Sequence, residues 1–214
     1  MPGQVLALYE AIVDLATGSL APDARRMREA FEKRTGAFGP EDPWFEPRSR
    51  AFWDDALTAQ GFAALAGPHL AQELARVACR FDRAHRGVFV VEEVDERGAH
   101  LVDLWSGAEL LVRHLDEAQA VTLRHAEGPM DARVVAGPPS DGSASLFVLP
   151  GALHHAPDAL EPIGKVLAAA RERDMETGAL LDALLRMELV FRSSSRVKAG
   201  FAYRVESLSR ARPG

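Results

Sequence analysis

The sequence predicts an α+β fold: a helical N-terminal segment, a small antiparallel β-barrel-like sheet, and C-terminal helices. Three observations carry that prediction. Residues 87–112 have strand chemistry, helical apolar spacing dominates before and after the central region, and turn signals separate the short central runs.

Within the central stretch, Val88, Phe89, Val90, Val91 and Val94 crowd one run. Asp95-Glu96-Arg97-Gly98 breaks it, as a hairpin loop ending in glycine does. Residues 99–104 form a second run, Trp105-Ser106-Gly107 turns the chain, and residues 108–112 return as a third strand. Residues 131–136 and 143–149 add two more strands, on either side of the turn signal Gly137-Pro138-Pro139-Ser140-Asp141-Gly142. Five short strands with tight turns suggest a small barrel or a strongly curved antiparallel sheet. A unit of about 65 residues is marginal alone, so the flanking helices are expected to cover it.

Before the sheet, residues 4–17 repeat apolar side chains at helical spacing through Val5, Leu8, Ile12 and Leu15, and Gly18 stops them. A basic n-region is missing here, and Glu10 and Asp14 interrupt the apolar run, so an amphipathic helix is read rather than a signal peptide. Residues 22–35 form a basic second helix. Its charges read as a solvated face with Arg25–Glu29 and Glu29–Lys33 pairs. The sharper reading makes Arg25 and Arg26 part of a patch for an acidic partner. Asp42 and Pro43 stand as N-cap and first residue of a third helix, which carries Phe45, Phe52, Trp53 and Leu57, with Trp44 at its start. Aromatic side chains dominate burial, so this helix is expected to anchor the core. Pro68 opens a fourth helix with the stripe Leu70, Leu74, Val77, Ala78 and Phe81, beside which Cys79 is read as a partly covered structural thiol. Residues 114–127 read as a short helix or as a turn and strand. After the sheet, Asp158 is placed as the cap of a helix through Ile163, Val166, Leu167 and Ala170. A last helix follows with Leu180, Leu181, Leu184, Leu185, Glu188 and Leu189, and residues 201–205 can form a final strand. The chain thus divides into residues 1–86, 87–150 and 151–214.

Composition narrows the function classes. The 214 residues are 47% hydrophobic and 26% charged, as in an ordinary soluble globular protein. A net charge of −6 argues against a generic nucleic-acid binder, which needs a basic surface for phosphates. Cys79 is the single cysteine, which excludes an internal disulfide and a CxxC zinc site and fits a cytoplasmic location. No apolar run of about 18 residues is present, so no membrane partner or span is expected.

No constellation earns a catalytic or cofactor assignment. A GxSxG elbow, a GxGxxG loop and a GK[ST] motif are all missing. His154, His155 and Asp158 have the residue types of a metal site, but adjacent side chains diverge on an extended backbone and Pro157 stiffens the join. His100 and Asp103 alternate to opposite faces of their strand, which speaks against an acid–base pair. Asp103 reads instead as a turn residue accepting backbone amides. Glu92, Glu93, Asp95 and Glu96 make an acidic hairpin without the regular spacing of calcium ligands.

Two segments carry a resemblance. Asp42-Pro43-Trp44-Phe45 with Phe52-Trp53-Asp54-Asp55 resembles the aromatic helix of certain uncharacterised bacterial proteins. The run Gly87-Val88-Phe89-Val90-Val91, followed by Leu101-Val102-Asp103-Leu104-Trp105-Ser106-Gly107, looks like their small β-domain with its D-L-x-[ST]-G turn. The likeness covers roughly residues 40–150. Some of those relatives end in a SEC-C zinc knuckle, and this chain has no cysteine cluster to match it. The family brings no established activity. The alanine- and arginine-rich style is similar to that of high-GC bacteria.

The functional expectation is a non-enzymatic adaptor or regulatory module that binds another protein through the basic second helix and the acidic hairpin. An alternative is a small-ligand binder or enzyme with a pocket between the aromatic helix and the sheet, lined by Trp44, Trp53 and Trp105. A second alternative, single-stranded nucleic-acid binding by the barrel face, is set back by the excess of acid over base there.

Overall fold

A computed structural model describes residues 2–113, 117–136, 146–194 and 197–210. Five helices come first: α1 (Pro2–Thr17), α2 (Ala21–Thr35), α3 (Phe45–Thr58), α4 (Phe62–Ala66) and α5 (Gln72–Ala78). Strands β1 (His85–Asp95), β2 (Gly98–Asp103) and β3 (Glu109–Val112) follow, then α6 (Glu117–Arg124) and strands β4 (Met130–Ala136), β5 (Leu146–Val148) and β6 (Leu153–His154). Helices α7 (Leu160–Glu172), α8 (Thr177–Arg192) and α9 (Ala199–Ala202) end the chain, with a 3₁₀ turn at Val205–Arg210. The fold is α+β, as the sequence predicts, and the antiparallel sheet curls into a half-barrel.

Among the described residues the sheet runs in the order β3-β2-β1-β4-β5, with β6 on the same edge of β4 as β5. The hairpin of β1 and β2 forms where glycine punctuation places it, with Asp95 opposite Gly98. A bulge between Val91 and Glu93 interrupts that ladder. The concave face is apolar: Phe89, Ala99, Leu101, Val112, Met130, Ala132 and Val134 pack with Leu123 of α6. The convex face meets the helices. Val88 joins the cluster built by α7, α8 and α9, whereas Val135 joins the larger cluster of α1 to α5. Both helical clusters therefore reach the sheet, and the boundaries at residues 86 and 150 are changes of secondary structure that the core crosses.

Several local expectations differ from the structure, each for a physical reason. Helix α3 begins at Phe45 with Trp44 at the N-cap. Asp42 instead accepts the Gly39 N–H at 2.7 Å, and Pro47 occupies the first turn, where a missing N–H costs nothing. The helix expected from Pro68 is split, because Pro68 lies in a 3₁₀ turn (Gly67–His69) and Leu70 is extended before α5 begins. Asp158 caps nothing. It is exposed within a 3₁₀ turn (Pro157–Ala159), and Ala159 is the N-cap of α7. The expected final strand is α9 and a 3₁₀ turn: Ala199, Ala202 and Tyr203 are buried at a helical spacing. On α2 the ion pairs are Arg26–Asp23 and Arg28–Glu32 rather than pairs through Glu29. Cys79 is exposed. The turn expected at residues 137–142 lies outside the described residues.

Candidate functional site

Strand β4 explains the most unusual feature of the molecule. Met130, Ala132 and Val134 alternate onto the concave face, which leaves Asp131 and Arg133 on the convex one. Both are buried, at 3% and 1% exposure. A charge buried alone is costly, so each needs a partner.

The partners come from four other elements. Arg86 of β1 grips Asp131, with Nη2 to Oδ2 at 2.9 Å and Nε to Oδ1 at 3.3 Å. Its Nη1 reaches Asp182 of α8 at 2.7 Å. Asp182 accepts Arg34 of α2 at 2.7 Å, and Arg34 continues to Asp55 of α3 at 2.5 Å. Asp55 is closed by Arg133 at 2.6 Å and by Gln60 Nε2 at 2.8 Å. Three aspartates and three arginines thus alternate from β4 across β1, α8, α2 and α3 and back to β4.

The electrostatics follow from this order. Burial opposes the charge of Arg86, but Asp131 and Asp182 outweigh it and raise its pKa above the usual arginine value. The same balance raises Arg34, through Asp55 and Asp182. For Asp182, burial is outweighed by Arg86 and Arg34, which hold it below the ordinary carboxylate value. Arg133 is lowered by burial and by Arg86, against the pull of Asp131 and Asp55.

Two further arginines close the C-terminal end of α2, where unpaired carbonyls concentrate negative charge. Arg48, with 0% exposure, donates to the Thr35 carbonyl at 2.8 Å, the Leu185 carbonyl at 3.2 Å and Glu188 Oε2 at 3.0 Å. Arg186 donates to the Arg34 carbonyl. Gly36, at φ 99°, ends the helix so close to Leu189 that a Cβ would stand 2.4 Å from its Cδ2.

This charge layer positions elements but presents no nucleophile. Its carboxylates are satisfied by cations, and no hydroxyl or thiol joins the alternating chain. A second cluster contains His, Asp and Ser in the wrong order for acyl transfer. Asp103 Oδ2 accepts Ser106 Oγ at 2.6 Å and lies 3.0 Å from His85 Nε2, while Oδ1 accepts the Trp105 N–H at 3.0 Å. In a nucleophilic triad the imidazole stands between carboxylate and hydroxyl. Here the carboxylate stands between the other two, so His85 has no route to the serine proton. Asp103 is the turn residue that its sequence context indicates, and Gly87 makes room for it: a Cβ there would lie 2.9 Å from Asp103 Cγ.

The other expected site residues do not converge. Trp44 and Trp53 pack against the core of α1 to α5, where Trp53 lies 4.7 Å from Phe52 between ring centroids. Trp105 packs on the other helical cluster, under Arg171, and donates to Thr177 Oγ1 at 2.9 Å. Arg25 and Arg26 are exposed on α2. His154 is half-buried in β6, and Arg192 binds its carbonyl. His155 is buried, with Nδ1 2.7 Å from the Tyr203 hydroxyl and no partner at Nε2. Burial drives its pKa down to about 4. With Asp158 exposed, the three form no ligand set, and no metal-holding group of His, Cys, Asp and Glu occurs among the described residues. His100 points away from Asp103, and its Nε2 is buried without a partner.

Sequence reasoning missed the charge layer. Its signals were present: Asp131 and Arg133 two apart in an otherwise apolar strand, Asp54-Asp55 in an aromatic helix, and Asp182, Arg186 and Glu188 inside a leucine-rich one. No family model, no curated protein and no solved structure matches the chain. No described helix is long and apolar enough to cross a membrane.

Proposed function

We propose that the chain is a non-enzymatic adaptor or regulatory module that binds another protein through the ribbon of β1 and β2. The bulge in that ribbon carries this reading. It sets Glu92 and Glu93 in succession against His100, and both are exposed, as is Glu96 at the hairpin tip. Pairing of β1 with β4 stops at Phe89, so this acidic end outruns its neighbour. The interior supports the same reading, because the strongest ionisable cluster is consumed in holding helices to the sheet. A basic protein surface is the partner class that complements the ribbon.

Affinity capture with purified partner candidates, compared between wild type and the E92K/E93K/E96K variant, tests the reading. A partner bound in a salt-sensitive way by wild type and lost by the variant is expected. Binding that survives the charge reversal, or a strict monomer that retains no partner, would overturn it. R25E/R26E serves as the control on the opposite charge patch.

A further inference from the structure

Asp54 and Asp55 are neighbours on α3 and both have 0% exposure, yet their surroundings are opposite. Asp55 binds Arg34, Arg133 and Gln60. Asp54 receives one main-chain N–H, from Gly151 at 2.8 Å, and its Oδ1 has no hydrogen-bond partner. The turn at Gly151 is the excursion between β5 and β6. It presses on α3 so closely that a Cβ on Gly151 would stand 2.4 Å from the Arg50 carbonyl.

Helix α1 contributes Tyr9, whose hydroxyl donates to the Arg50 carbonyl at 3.3 Å and lies beside the Asp54 carboxyl. The charged groups that face Asp54 are Asp55 from α3 itself and Asp131 and Arg133 from β4. Arg34 of α2 reaches Asp55 rather than Asp54. Arg133 also has its charge directed to Asp55. A carboxylate at Asp54 would therefore be buried without an ion pair, with only the neutral Gly151 N–H and the nearby Tyr9 hydroxyl as donors, an arrangement that favours the neutral acid.

We propose that Asp54 is a proton-operated clamp: protonated, it holds α1 and the Gly151 turn against α3, and on ionisation it loosens both. The acid O–H on the unpartnered oxygen can donate to the Tyr9 hydroxyl oxygen, which itself donates to the Arg50 carbonyl, and its proton leaves to water when the clamp opens. Burial, reinforced by Asp131 and Asp55 against Arg133 and the Gly151 N–H, pushes this carboxyl up to about 7. The sign follows. The closed state holds the proton where an exposed aspartate does not, so opening becomes easier as pH rises towards and through neutrality.

Amide hydrogen exchange of residues 7–17 and 149–153, corrected for the intrinsic pH dependence of exchange, tests the clamp. Between about pH 6 and about pH 8, wild type is expected to lose roughly tenfold in protection in both segments. Asp54→Asn stays neutral and keeps an acceptor for Gly151, so it should lose none over the same interval. Equal protection of wild type at both pH values would overturn the proposal, as would a loss in Asp54→Asn that equals the wild-type loss. Should Asp54→Asn fail to fold, carboxyl ¹³C titration of wild type gives the answer. A midpoint near neutrality supports the clamp, and an ordinary aspartate midpoint overturns it.

Discussion

At the scale of single residues, two buried titratable groups pull stability in opposite directions over one pH interval. His155 is held near 4 by burial, so the unfolded chain binds its proton first as pH falls. Its contribution is fully present above about pH 6.5 and is lost towards pH 4. Asp54 is held near 7, so its folded state keeps a proton that the unfolded chain releases. That contribution is greatest below about pH 4 and is lost as pH rises to 7. In wild type the slopes offset. Removing either group exposes the other: denaturant midpoints should rise with pH for Asp54→Asn and fall with pH for His155→Gln. Parallel profiles for the two variants would contradict the assignment. Gly87 permits a sharper test of packing. Gly87→Ala places a methyl 2.8 Å from Phe89 Cζ and 2.9 Å from Asp103 Cγ, and should cost about 1–3 kcal/mol in urea unfolding.

At the scale of elements, α2 is held at its C-terminus by arginines that lie outside it. Arg48→Met removes the donor to Thr35 and leaves Glu188 buried with only the half-exposed Arg192. A loss of about 3–5 kcal/mol in chemical denaturation is expected, the cost of breaking a buried pair from one side. This element also shows what was legible beforehand. Helices α1, α2, α7 and α8 and strands β1 to β4 announce themselves by apolar period and glycine punctuation, because those patterns reflect local geometry. The charge layer does not, because its partners lie far apart in sequence: Arg34 meets Asp182 across 148 positions. A basic helix reads as solvated until the acid it turns towards is located. The tail failed for a different reason. Phe201 and Val205 drew attention to strand propensity, while Ala199, Ala202 and Tyr203 carried the helical spacing that burial selects.

At the scale of the whole molecule, helices and sheet share their cores and their charges. Val135, Phe147, Leu149 and Leu153 belong to the cluster of α1 to α5, and Arg86 and Arg133 find counterions on helices. A fragment of residues 87–150 would therefore expose an apolar face and lose both Asp55, the acid on Arg133, and Arg86, the base on Asp131. It should show no sharp thermal transition and no fixed near-ultraviolet circular dichroism, whereas the full chain should unfold in one cooperative step. A fragment that melts cooperatively would show that the sheet is independent.

Strand β4 has one more consequence, for how the chain finds its arrangement. Shifting its pairing by a single residue would turn Asp131 and Arg133 into the greasy hollow of the half-barrel and carry Met130, Ala132 and Val134 out against the aspartates. Each misaligned hairpin would strand ions in oil, leave Asp55 without Arg133 and leave Arg86 without Asp131. The alternation thus acts as a key with teeth on both edges, and a strand offset by one position fits neither lock.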